Sequence, residues 1–218
     1  MGTDVRKRLV FGAPALAALL MAAPLPAAAH PHVTVVAKAA FVLDSKGQIT
    51  AIRHQWTFDE AYSAFAVTGM KKGPDGKTAP EELKDLAKLN VESLSEFAYF
   101  TQMKKGKKAL EFNTPKTGYY LEDTGKALVL HFVLPLKASV APSSDTTLRV
   151  DDETFFVAFS FDEKDPASID GATPCKIEVK RPAKAADQSM QKLGEDFFNN
   201  LKSGFTDDYA TTIKLACP

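Results

Sequence analysis

Apolar and polar residues alternate over much of the chain, and helical spacing is confined to three stretches. Val33–Leu43 and Gln48–Phe58 are rich in β-branched and apolar residues and flank the turn signal Asp44-Ser45-Lys46-Gly47, so together they predict a β-hairpin. In residues 59–70, Tyr62, Phe65 and Ala66 fall at helical spacing. After a Gly/Pro/Asp loop over 71–77, Thr78 and Glu81 stand in the capping-box relation with Pro80 in the first turn. Leu83, Leu86, Leu89, Leu94, Phe97 and Phe100 then keep roughly one face and predict a helix running to about Met103. Short strands are expected at 109–112, 119–122, 127–134, 148–150, 154–161 and 176–180, separated by Pro, Asp and Gly. A last amphipathic helix is expected over 186–209, with Met190, Leu193, Phe197, Leu201 and Phe205 at three- and four-residue steps.

The first 29 residues follow another logic. Arg6, Lys7 and Arg8 precede an apolar run from Leu9 to Pro26, and Ala27-Ala28-Ala29 supplies a small-x-small site. Basic head, apolar middle and small-residue site form the secretory pattern, and Pro24 and Pro26 end the run where a cleavage region begins. The alternative is an uncleaved anchor, because residues 9–29 are nearly long enough to cross a bilayer. Cleavage after Ala29 is expected. It would leave His30 with a free α-amine at the start of a mature, non-spanning chain in the periplasm.

Charge narrows the range of partners. Residues 1–29 carry Arg6, Lys7, Arg8 and Asp4, so residues 30–218 keep 24 basic and 26 acidic side chains. That balance offers no basic excess to hold nucleic acid or an anionic membrane. The two cysteines, Cys175 and Cys217, are expected to form a disulfide in an oxidising compartment.

The richest chemistry lies at the expected N-terminus. His30 and His32 can offer two imidazoles and an amine to zinc, copper, nickel or cobalt. Pro31 lacks an amide hydrogen, which disfavours the square-planar mode that uses deprotonated backbone amides. If Leu43 pairs with Gln48, the ladder sets His32 across from Asp59; a two-residue turn would set Ala61 there instead. Asp59, Glu60 or both are thus expected near His32, giving a three-ligand site with an open position. His54 shares the hairpin and one strand face with Trp56 and Phe58, and His131 lies inside an apolar strand. A histidine in such a setting is usually a hydrogen-bonded core residue, with His54 the better ligand candidate of the two. Lys71–Glu82 has the outline of a calcium loop, but Lys71 and Gly73 stand where oxygen ligands are required, so calcium is not expected. No Gly-x-Ser-x-Gly, phosphate-cradling glycine loop or nucleophilic Cys/His pair occurs.

Taken together, His30-Pro31-His32-Val33, the run from Trp56 to Glu60 with Tyr62 and Ser63, Asp75-Gly76-Lys77, Glu81-Glu82-Leu83 and the run from Thr154 to Phe159 resemble the bacterial domain-of-unknown-function family numbered 1007. That family is described as an uncharacterised periplasmic component of ABC-type transport systems, often accompanying nickel/cobalt-type transporters. The resemblance implies metal-site roles for His30, His32, Asp59 and Glu60, and it adds Asp152. Two departures stand out. The calcium-like loop is poorer in aspartate here, and Asp152-Glu153-Thr154 replaces the Asp-Pro-Thr of relatives.

The reading that follows is a cleaved signal peptide over 1–29 and one α+β domain over 30–218. The domain is expected to be mainly antiparallel β, a hairpin-built sheet or sandwich with two or three packed helices. Its parts would be a hairpin with helices over 30–105, a β-rich part over 106–182, and a C-terminal helix within 183–218 tied by the disulfide. The expected role is a non-enzymatic, periplasmic, metal-binding accessory to an inner-membrane metal transporter. The rivals are an envelope interaction module without metal and a copper oxidase of the histidine-brace type.

Overall fold

Strand alternation carries through into a two-sheet architecture. The computed structural model describes residues 33–182 and 209–218. The signal segment, His30, His32 and nearly all of the expected C-terminal helix lie outside those residues. In chain order the elements are β1 (Val33–Leu43), β2 (Ile49–Phe58), α1 (Glu60–Ala66), α2 (Pro80–Leu94), a 3-10 segment (Ser95–Phe100), β3 (Thr101–Lys105), β4 (Lys108–Leu110) and β5 (Tyr120–Asp123). They continue with β6 (Leu128–Val140), β7 (Thr146–Val150), β8 (Val157–Phe161), β9 (Ala167–Asp170), β10 (Lys176–Lys180) and β11 (Thr212–Ala216).

One sheet runs β5-β6-β2-β1-β8, with β9 also pairing β1; the other runs β10-β11-β7-β3-β4. All pairings are antiparallel except β1 with β8 and with β9. The chain is therefore α+β and mainly antiparallel, as its patterning predicts. A single core cluster draws on both sheets and on α2. Its central row pairs Val35 with Phe58, Ala37 with Trp56, Ala39 with His54 and Phe41 with Ile52, all of them buried. Period-two alternation gives each strand this one inward row.

The hairpin register differs from the simple expectation. Leu43 pairs with Ile49 and Val42 with Ala51, which leaves Thr50 as the extra residue of a bulge. The turn holds because Asp44 Oδ1 accepts from both the Lys46 and Gln48 amides, and Gly47 takes the positive φ that the turn requires. Beyond the bulge, Asp59 stands opposite Thr34 rather than His32.

The long expected helix is the largest local correction. It ends at Leu94, and Ala98, Tyr99 and Phe100 all take left-handed φ values (48°, 56° and 48°) that reverse the chain into β3. Each such residue costs roughly 1–2 kcal/mol, offset here by burial of Tyr99 and by packing of Phe100 on the core. The buried stripe of α2 is Leu83, Ala87 and Val91, while Leu89 is 61% exposed. Thr78 does not form the capping box. Ala79 is the N-cap, and the Thr78 amide donates to Asp123 Oδ2 at 2.8 Å. Strands β3, β9 and β11 fall outside the strands that the patterning predicts, and β8 starts only at Val157.

Candidate functional site

The described acidic candidates gather at one end of the first sheet, where β1 begins. Val33 opens β1 with its amide on Phe156 O, at the threshold of β8 on one side. On the other side β2 ends and Asp59 caps α1. Asp59 Oδ1 accepts from Tyr62 N at 2.8 Å, and Oδ2 accepts from Thr34 N at 2.8 Å. The carboxylate thus caps a helix and pins the first strand at once, and the negative charge suits the positive helix terminus. Glu60 follows in the first turn and is exposed. Ser63 locks the helix to β6, donating to Asp59 O at 2.7 Å and accepting from Leu128 N at 2.9 Å.

Asp152 stands in the turn that leads into β8 and is buried. Its Oδ1 accepts from Thr154 N and Oγ1, at 2.9 and 2.7 Å, and its Oδ2 accepts from Val157 N at 3.0 Å. Both oxygens organise the loop, in which Phe155 takes a φ of 56°. The resemblance offered Asp152 as a metal-site residue. Its geometry assigns it the shaping of the β1 corner, and nothing in its sequence neighbourhood except Thr154 hinted at that work.

Asp59→Ala is expected to destabilise the protein by about 2 kcal/mol, since it removes a helix cap and a charge-assisted bond to β1 together. Urea denaturation measures this. A loss no larger than that of an exposed control such as Glu163→Ala would refute the clamp.

His54 lies far from that corner. It pairs with Ala39, roughly 20 Å along β1 from Val33 at the usual strand rise. Its side chain is fully buried and stacked on Phe132 at 4.7 Å between ring centres. The Trp56 indole N–H donates to Nδ1 at 3.3 Å, so the ring proton belongs on Nε2. That N–H faces Thr101 Oγ1 at 3.3 Å, and Thr101 in turn donates to Tyr99 O at 2.7 Å. The chain of bonds is complete and crosses from one sheet to the other. Burial pushes the imidazole down to about 3, so it is neutral across the physiological range. Both ring nitrogens are committed, and ligation of a metal here would break the link between the sheets.

His131 sits on the opposite face of the first sheet, stacked on Tyr120 at 4.4 Å with Nε2 3.3 Å from Glu122 Oε2. Burial lowers its pKa, and the Arg53 charge adds to that against the pull of Glu122. In the calcium-like loop, Asp75 Oδ1 accepts from Lys77 N at 3.1 Å, Lys72 bridges Thr78, and the Lys72 ammonium lies 3.8 Å from Asp123. Burial works to raise the Asp123 carboxyl, but the Thr78 and Gly125 amides and Lys72 outweigh it and hold the group low.

Among the described residues no group of three or more His, Cys, Asp or Glu side chains is arranged to hold a metal. The structure therefore brings Asp59, Glu60 and Asp152 to one end of the sheet and keeps His54 away. His30 and His32 fall outside the described residues.

Cys175 and Cys217 are bonded, with Cα atoms 4.1 Å apart. They stand one step beyond the terminal ladder pair Lys176–Ala216 and so staple β10 to β11. The bond thus joins two strands, and the helix expected between them over 186–209 lies outside the described residues but for Tyr209. No curated protein matches the chain. A family model described as Protein of unknown function (DUF1007) matches residues 15–217, and the chain belongs to that family.

Proposed function

We propose that the protein is an exported accessory of a transition-metal transport system, which carries a divalent ion on His30 and His32 with help from Asp59 or Glu60. The observation that supports this reading best is the register at the start of β1. Asp59 lies opposite Thr34, two residues along the chain from His32, with Glu60 next to it. A carboxylate within reach of two imidazoles makes a three-donor set that leaves a position free for transfer. The disulfide is compatible with an oxidising compartment and so with export. The role is carriage to or from a membrane transporter rather than catalysis.

Calorimetry with zinc, copper, nickel and cobalt, on tag-free protein beginning at His30, tests the reading. The parent should bind one ion at neutral pH and release it as the imidazoles protonate near their ordinary pKa of about 6.5. Changing both His30 and His32 to Ala should abolish binding with the fold intact. Asp59→Asn keeps an oxygen for the Tyr62 amide and should weaken binding while retaining the cap. Undiminished binding by the double alanine variant would remove the terminal site.

A further inference from the structure

The outer face of the first sheet, away from the core, carries a polar depression of about 140 Å³. Residues that alternate with the buried row of β1 and β2 point to this face, which sets Lys38, Gln55, His131 and Tyr120 side by side across β1, β2, β6 and β5. The next row holds Ser168 of β9, then Ala40 and Arg53. Ala40 contributes only a methyl group between two polar side chains, so the surface dips there. Lys38, Arg53, Gln55, His131, Asp165 and Ser168 form the walls. The depression lies roughly 23 Å along β1 from Val33 at the usual strand rise. It uses none of the residues proposed above to carry the metal.

The charges around this depression come in matched pairs. Lys38 Nζ donates to Asp165 Oδ2 at 3.2 Å, and Arg53 Nη2 meets Asp170 Oδ2 at 2.6 Å. Burial above all holds the His131 pKa below its ordinary value, so the ring adds no charge at neutral pH. A cation or an anion entering here would have to take a partner from one of these pairs. What stands spare is hydrogen-bonding capacity of both kinds. Among the described residues, the Gln55 amide and the Ser168 hydroxyl make no side-chain hydrogen bond, and Asp165 Oδ1 accepts none. An amide and a hydroxyl each donate and accept, and the Arg53 fork has N–H donors beyond the nitrogen that meets Asp170.

Size and chemistry together select the ligand. A water needs about 10–15 Å³ of such space, so the depression takes roughly ten heavy atoms, close to one sugar ring with its hydroxyls. Each sugar hydroxyl both donates and accepts, which matches the mixed spare set and displaces no ion pair. The stacked rings of His131 and Tyr120, 4.4 Å apart with Tyr120 53% exposed, add an aromatic face for the C–H side of the ring. We propose that the outer face of the first sheet binds a neutral saccharide, with one hexose unit seated over Ala40 among Arg53, Gln55, Asp165 and Ser168. This holds whether or not a metal binds at the N-terminus.

The test is an NMR titration of the isotope-labelled full chain with glucose and with N-acetylglucosamine, run in EDTA so that metal binding plays no part. Saturable shifts of the β1, β2 and β9 amides around Ala40 are expected, with a dissociation constant on the order of 1 mM. Gln55→Leu keeps the bulk of the side chain but removes its donors and acceptor, and it should weaken binding about ten-fold, the effect of losing one or two hydrogen bonds. Ala40→Leu fills the floor and should abolish binding. Should that variant disturb the sheet, Gln55→Leu, at a half-buried position on the outer face, carries the test alone. No saturable shift with either sugar, saturation by acetate or phosphate but by neither sugar, or undiminished binding by Gln55→Leu would overturn the proposal.

Discussion

Acidification from about pH 7 to about pH 4.5 should cost the fold on the order of 2–3 kcal/mol through His54 alone. The buried ring has its pKa pushed down to about 3, whereas in the unfolded chain it titrates near the ordinary 6.5. Between those values the unfolded state binds a proton that the folded state refuses. The contribution is therefore fully present above about pH 6.5, falls as the pH drops below it, and levels off near 3. Thermal or urea unfolding across that window measures the loss. His54→Gln is the informative variant, since its amide can accept from the Trp56 indole and donate to Thr101. It should be less stable at neutral pH yet show a flatter pH profile than the parent. Equal profiles would mean that the imidazole is not held neutral in the core.

The disulfide carries the other large effect. Replacing both Cys175 and Cys217 by Ser should remove about 4 kcal/mol, the chain-entropy value for a closed loop of about 43 residues. The loss has a structural focus. β11 is an interior strand of the second sheet, between β10 and β7, and it buries Ile213 and Leu215. Without the staple its end is held by the ladder and by Ser144, which bonds to the Cys217 backbone in both directions. Proteolysis after about Pro182 should become faster, and the melting temperature should fall on reduction of the parent just as it does in the variant. A melting temperature unchanged by reduction would sink this prediction.

Both predictions concern residues visible in the sequence, but they were legible to different degrees. Two cysteines have one possible intramolecular partner each, so pairing needed no coordinates. What the bond joins did need them, because β11 lies far along the chain from β7 and from the strands beyond it. His54 was legible as an inward residue from its alternation with Trp56 and Phe58. Its partner Thr101 lies in a stretch whose apolar spacing predicts helix, because that spacing continues past the true helix end at Leu94.

Local patterning by itself determined the hairpin Val33–Phe58, the α1 start at Asp59, the run of short strands and the α+β class. Those features follow from side-chain period, turn residues and caps, which act over a few positions. Only the tertiary structure decided the bulge that sets Asp59 against Thr34, the parallel seats of β8 and β9 beside β1, and the left-handed turn at Ala98–Phe100. It also decided that Asp152 serves its loop and that His54 ties two sheets together. Period-two alternation says which side chains face inward but not which strand lies next, and an unfavourable backbone turn is tolerated only when distant residues bury its side chains.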